Sequence, residues 1–216
     1  MKQGIDISHH NNITDLSGYD FVLIRAGYGA TGTDRKFYDH IDLAMTQGVP
    51  FGLYWFLYAK DTNEAYMNAL LCVEICAKYK DKMQLPLYSD FEYDSESRYQ
   101  NVTFTGSKRS AIVNTFNEVI KNAGFKWGTY ANVDYLRNKF DRSLQIGSLW
   151  LACWSEDYPS QYQPDIWQYT NCLHGEKLDG NYLINSAFLE NSGNSDDTDM
   201  ACYCPYCGNA LKIVKA

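Results

Sequence analysis

Short apolar runs of strand length recur along the chain and alternate, over most of it, with stretches whose apolar residues repeat at helical spacing. The runs are residues 4–8 (GIDIS), 21–29 (FVLIRAGYG), 51–58 (FGLYWFLY), 86–92 (PLYSDFE), 126–131, 149–154 (LWLACW), 165–170 (DIWQYT) and 178–183 (LDGNYL). Eight strands are therefore predicted. Between them, Ile41, Ala44 and Met45 mark a helix over 38–47, and Ala65, Ala69, Cys72, Val73 and Cys76 share one stripe over 62–79. The clearest helix covers residues 107–123, with Ser107 as its N-cap, Ile112, Phe116, Val119 and Ile120 on its buried face, and Gly124 as its stop. Asn132 is placed to cap a further short helix.

Alternation of strand and helix implies a parallel sheet, and near-continuous apolar strands suit a sheet covered on both faces. Eight such strands suggest closure into a barrel. The last three follow one another too closely for helices, so the expected architecture is an irregular, TIM-like α/β barrel with about five helical crossovers, (β/α)5(β)3-like. In such barrels chemistry collects at the C-terminal ends of the strands. After Leu189 the chain reads ENSGNSDDTD, without an apolar residue. This divides it into a barrel over 1–189, a polar linker over 190–200 and a short Cys-rich tail over 201–216.

Asp90 and Glu92 stand one residue apart at the end of an apolar run. In a strand, positions i and i+2 face one side, so the two carboxylates are expected to project together into the barrel mouth. Crowded acids do not titrate alike: burial and a neighbouring charge leave one protonated beside an ionised partner, the division of labour that glycoside cleavage needs. An Asp-x-Glu triplet alone is equally well a solvated strand end. Asp6 in the first strand and Asp179 opening the last add two acids to the same mouth. Each has its own local alternative, a loop hydrogen bond for Asp6 and an Asp-Gly hairpin turn for Asp179.

Composition sharpens this picture in two ways. Eighteen Tyr, ten Phe and five Trp make the chain 15% aromatic, more than a core requires, and amphipathic rings stack well on sugar faces. Tyr54, Trp55, Tyr58, Tyr130, Trp154, Trp167 and Tyr169 all fall in or at the ends of strand candidates, and Trp167 and Tyr169 share one face by alternation. A net charge of −7 argues against a nucleic-acid partner. No stretch approaches a membrane span, and no signal-peptide pattern opens the sequence, so action on an external substrate implies a separate export route or a leader outside this sequence.

The motifs GIDIS, FVLIRAGYG, FGLYWFLY, SDFE (89–92), GTYAN (128–132), WLACW, DIWQYT and LDGNYL, in that order, resemble the glycoside hydrolase family 25 lysozymes over residues 1 to 189. The resemblance implies an enzyme, a glycoside hydrolase that cuts the β-1,4 bond between N-acetylmuramic acid and N-acetylglucosamine in peptidoglycan strands, with no metal or organic cofactor. It matches Glu92 to the general acid/base and Asp90 to the second catalytic carboxylate. The latter either attacks the sugar or, as favoured here, assists attack by the substrate's own 2-acetamido group. Asp6 and Asp179 match the supporting acids, and Tyr54, Tyr130, Trp154 and Gln168 are assigned to substrate contact. Two other readings stay open, a catalytically silent sugar-binding barrel and a related barrel hydrolase acting on chitin-like polymers.

The tail stands outside the resemblance. Seven cysteines exclude a complete set of intrachain disulfides, and buried free thiols are expected for the rest of the chain. Cys204-Pro-Tyr-Cys207-Gly208 looks like one knuckle of a zinc ribbon, with Cys202 as a third thiolate. No fourth ligand is evident, though His174, Cys172 or a second chain is a candidate, so no metal is assigned. The tail is alternatively a wall-binding or self-associating element.

Overall fold

The computed structural model describes residues 1–190, together with the backbone of a two-residue strand pair, Cys202–Tyr203 and Ala210–Leu211, in the tail. Cys204 and Cys207, and with them the expected linker, zinc knuckle and self-association through the tail, lie outside the described residues.

Strands β1 (Lys2–Ile7), β2 (Phe21–Tyr28), β4 (Phe51–Phe56), β5 (Leu87–Asp90), β6 (Trp127–Asn132), β7 (Ser148–Ala152), β8 (Ile166–Thr170) and β9 (Asp179–Leu183) close into an eight-stranded barrel. Each matches an apolar run within two residues. Neighbours from β1 to β8 are parallel, and the barrel closes through β9, antiparallel to both β8 and β1. A two-residue strand β3 (Gly32–Thr33), not anticipated, folds back on the end of β2.

Helices α1 (Phe37–Gln47) and α2 (Thr62–Cys76) cover the sheet after β2 and β4. A short α3 (Tyr93–Ser97) and the long α4 (Gly106–Asn122) follow β5, and a π-helical turn, Tyr135–Lys139, follows β6. Helix thus occupies four of the connections, and the first, residues 8–20, has none. The N-cap of α4 is Thr105, not Ser107. Thr105 keeps an extended backbone and its Oγ1 accepts a hydrogen bond from Lys108 N at 3.3 Å, while the Ser107 hydroxyl only meets Thr105 Oγ1 at 3.1 Å. Gly124 ends the segment at φ +80°, a left-handed conformation that a side chain would strain. Asn132 does cap the next turn, its Oδ1 accepting from Tyr135 N at 2.9 Å. Among the described residues no helix is long and apolar enough to cross a membrane.

Strand alternation builds two cores. Outward residues such as Val22, Ile24, Leu53, Trp55 and Leu87 pack under the helices with Ile41, Ala69, Val113 and Phe116. Inward residues fill the lumen: Phe21, Leu23, Tyr54, Tyr88, Tyr130, Trp150, Ile166 and Leu183. The Trp150 ring lies 5.5 Å from Tyr54, 5.5 Å from Tyr88 and 4.6 Å from Tyr130, edge-on in each case. The lower lumen is thereby plugged, which leaves room only at the C-terminal mouth. Cys72 and Cys76 are buried free thiols as expected, whereas Cys153 is half-buried and Cys172 exposed.

Large rings fit because glycines face them. A Cβ on Gly128 would sit 2.4 Å from the Ser148 carbonyl oxygen and 2.5 Å from the Tyr88 ring. Gly128→Ala should therefore lower stability by about 1–3 kcal/mol through overpacking, read as a reduced urea midpoint. An unchanged midpoint would contradict this packing of the lumen.

Candidate active site

The inward parity that plugs the lower lumen carries polar residues at its upper end. Asp6, Arg25, Tyr54, Asp90, Tyr130, Gln168 and Asp179 all line one cleft of about 470 Å³ at the barrel mouth. Glu92 and Trp154 complete its wall from just beyond their strands. The cleft thus gathers all eight residues singled out from the sequence. One detail differs. Glu92 is not in the strand with Asp90 but one step past it, as the N-cap residue of α3. Its extended backbone, φ −140° and ψ −169°, preserves the alternation, so Phe91 turns into the outer core while the acids on either side face the cleft. Ser95 fixes this corner. Its Oγ accepts from Glu92 N at 3.1 Å and its N donates to Glu92 O at 2.9 Å.

Two indole donors set the orientation of the polar layer. Trp150 Nε1 donates to Asn181 Oδ1 at 2.8 Å, so the Asn181 amide nitrogen must face the other way, where it donates to Asp6 Oδ2 at 2.7 Å. Trp154 Nε1 and Tyr130 OH both donate to Gln168 Oε1 at 3.1 Å, and Gln168 Nε2 then donates to Asp6 Oδ2 at 2.9 Å. Indole nitrogens only donate, which removes the ambiguity of both amides. Asp6 thus accepts two amide hydrogens on one oxygen and faces Asp179, its partner across the β1–β9 register. Neither the loop contact nor the hairpin turn weighed for these two acids is present.

Burial dominates the electrostatics. It raises Asp6 well above the usual carboxylate range, and the Asp179 charge adds to the rise. Burial pushes Asp179 up to about 6. Asp90 is 6% exposed, and no hydrogen-bond donor reaches its Oδ1 among the described residues. Burial first and the Glu92 charge second hold its carboxyl high, with Arg25 opposing them. Glu92 is pushed up to about 7, by burial and then by Asp94 and Asp179. So dense a group of carboxyls retains protons near neutral pH and can give one up to a bound molecule.

The walls suit a flat polar ligand. Trp154 is 58% exposed although its ring nitrogen is tethered, so its face is presented to the cleft as a fixed platform. A second recess of about 430 Å³ continues past Glu92, between Tyr93, Tyr130, Asn132 and Trp154. Trp167 and Tyr169, in contrast, face outward and pack on Tyr182, with ring centroids 5.9 and 4.2 Å away. Trp55 belongs to the outer core, and Tyr58 lines a separate recess with Tyr28 and Arg98. Sequence reading missed Arg25, Asn181 and Trp150. Their signal was available, since each lies at inward parity in a strand, and Arg25 is the only charge within the run FVLIRAGYG.

The sequence profile described as "Glycosyl hydrolases family 25" matches residues 5–176. A curated relative, the autolytic lysozyme of Clostridium acetobutylicum, is 24% identical over 166 residues, covering 73% of this chain and 47% of that protein. The modular autolysin LytC from Streptococcus pneumoniae, solved with a synthetic peptidoglycan ligand, superposes with a TM-score of 0.71 at 24% identity, over 83% of this chain and 46% of its own. A family GH25 lysozyme from Aspergillus fumigatus gives a TM-score of 0.70 at 21% identity, over 84% and 93%. The chain spans about half the length of the clostridial and pneumococcal relatives. The profile match covers most of the chain and the fold agrees, so this protein belongs to glycosyl hydrolase family 25.

Proposed function

We propose that the chain is a lysozyme-type muramidase that hydrolyses the β-1,4 bond between N-acetylmuramic acid and N-acetylglucosamine in peptidoglycan. The observation that carries this reading is the single cleft lined by five carboxyls, with Asp90 and Glu92 one residue apart on one wall, beside a fixed aromatic platform. A module that only bound sugar would gain nothing from burying Asp6 and Asp90 and half-burying Glu92 and Asp179, since each carboxylate withdrawn from water is costly without a chemical task.

Glu92 acts as general acid. With its pKa near 7 it carries a proton at neutral pH, reaches the cleft, and passes that proton to the glycosidic oxygen as the bond to C1 breaks. Asp90 meets the developing positive charge. Its Oδ1 lacks a donor from the protein, which favours a role in accepting the N–H of the substrate's 2-acetamido group while that group's carbonyl oxygen attacks C1. Water then opens the cyclic intermediate at C1 and gives its proton to Glu92, so configuration is retained. Asp6, tied to Gln168 and Asn181, and Asp179, its partner across the β1–β9 register, hold the cluster's geometry and charge. Tyr54, Tyr130, Trp154 and Gln168 bind the glycan.

Glu92→Gln should abolish release of reducing ends from purified peptidoglycan, with a far-UV spectrum unchanged, whereas the wild type should leave muramic acid at each new reducing end. An N-acetylglucosamine end, cleavage of chitin in preference to peptidoglycan, or an active Gln variant would each overturn this reading. The pH profile follows from the same proton. Activity requires protonated Glu92, so kcat should fall on the alkaline side with a midpoint of about 7, and a midpoint below 5 would remove Glu92 as the donor.

Stability should show the opposite balance. A carboxyl raised on folding contributes stability below its unfolded value, and that contribution is lost as pH climbs through the folded value. Glu92→Gln should thus be the more stable protein at pH 8, by roughly 1–3 kcal/mol, with the difference gone at pH 4. Calorimetry at the two pH values checks this, and a less stable Gln variant at pH 8 would contradict it.

A further inference from the structure

Arg25 is a charge placed inside an otherwise apolar strand, and the fold takes unusual care of it. Alternation with Phe21 and Leu23 turns Arg25 toward the cleft, and the β2–β4 register slips just beyond it, between Arg25 and Gly27. Its Nε donates to Asp34 Oδ2 at 2.8 Å, and its Nη2 donates to His9 Nδ1. The same His9 Nδ1 lies 2.9 Å from Asp34 Oδ2, so the imidazole, the guanidinium and the carboxylate form one closed cluster. Asp34 is buried and anchored in turn by Lys36 N on Oδ1 at 3.0 Å and His9 N on Oδ2 at 3.1 Å. Burial alone would raise Asp34, but these donors and Arg25 outweigh it and hold it below the usual range, ionised. The Tyr28 ring packs against the guanidinium with its centroid 5.6 Å away.

So rigid a cation needs a task. Asp34 already neutralises it, and a surface pair would not need a buried carboxylate and a histidine packed against both partners. Asp90 lines the same cleft with only β4 between them: Arg25 pairs in register with Tyr54, and Asp90 with Phe56, two residues further along the same strand. Asp6 is anchored by two amide donors, whereas Asp90 Oδ1 has none. Of the groups acting most strongly on Asp90, Glu92, Asp6 and Asp94 oppose its charge and only Arg25 favours it.

We propose that Arg25, clamped by Asp34 and His9, is a positioning residue for the reaction, the fixed counter-charge that lets Asp90 meet a cationic transition state as an anion while Glu92 keeps the transferable proton. This rests on the muramidase reading. Arg25 touches Asp34, His9 and Tyr28, and the titratable or charged groups that share the cleft with it include His10 from the loop after β1, Asp6 from β1 and Tyr130 from β6. From β4 comes Tyr54, from the end of β5 Asp90, Glu92 and Asp94, and from β9 and the loop before it Asp179 and Lys177. The two other basic groups on the cleft are less suited. The His10 ring is held below its usual pKa, first by burial, and Lys177 is exposed.

The test is the pH dependence of kcat/KM on soluble peptidoglycan fragments for the wild type, Arg25→Gln and Arg25→Lys. Loss of the counter-charge raises the pKa of Asp90, so Arg25→Gln should move the acidic limb upward by about one pH unit and lower kcat by about tenfold. The alkaline limb, set by Glu92, should stay in place. Arg25→Lys keeps the charge without the fork and should hold the acidic limb near the wild-type position. If Arg25→Gln does not fold, His9→Gln loosens the clamp from its other end and should shift the same limb in the same direction. A folded variant of either kind with a wild-type acidic limb overturns the proposal. An inactive wild type would instead remove the muramidase reading beneath it.

Discussion

The structure turns on the cost of placing Asp6, Asp90, Glu92 and Asp179 together in a cleft closed from below by aromatic rings. Strand alternation makes the placement unavoidable. The side of each strand that fills the lower lumen with Phe21, Tyr88 and Trp150 also delivers Asp6, Asp90 and Asp179 to the mouth. A plug of rings excludes water beneath the acids, and low local polarity strengthens every charge interaction above it. Protons are retained that free carboxylates would lose. The chemistry proposed for the site depends on that retention.

Core and site are for this reason one construction. Trp150 packs edge-on against Tyr54, Tyr88 and Tyr130, and through its ring nitrogen it also turns Asn181 so that the amide faces Asp6. Trp154 and Tyr130 do the same for Gln168. Two indoles thereby fix two amides, and the amides fix one acid. Asp90 is treated differently, with burial but no hydrogen-bond donor at Oδ1, and its environment is set by charge across the cleft. Asp6 is thus restrained within the fold, whereas Asp90 is left available to a ligand.

The barrel was legible because buried parallel strands leave near-continuous apolar runs, and all eight runs became strands. The acids were legible because charges at the ends of such runs have few structural uses. What escaped were features that depend on closure. That β9 runs antiparallel between β8 and β1 follows from a short connection the sequence does not orient. Outward Trp167 and Tyr169 and inward Gln168 differ only in parity, which can be read once the position of the lumen is known. Arg25 escaped because its function depends on Asp34, nine residues away and brought back by the β2–β3 turn. Helix α3 is five residues long and leaves no periodic signature, yet it sets where Glu92 stands.

The most direct test is a site-resolved titration of the carboxyl carbons of the free protein by NMR, from pH 3 to 9, assigned through single substitutions. The crowding described above predicts that Glu92 titrates with a midpoint near 7 and Asp179 near 6, with Asp6 and Asp90 also above the ordinary range. If all four lost their protons near pH 4, as solvated carboxylates do, the barrel would hold no proton for a leaving sugar and the account would fail.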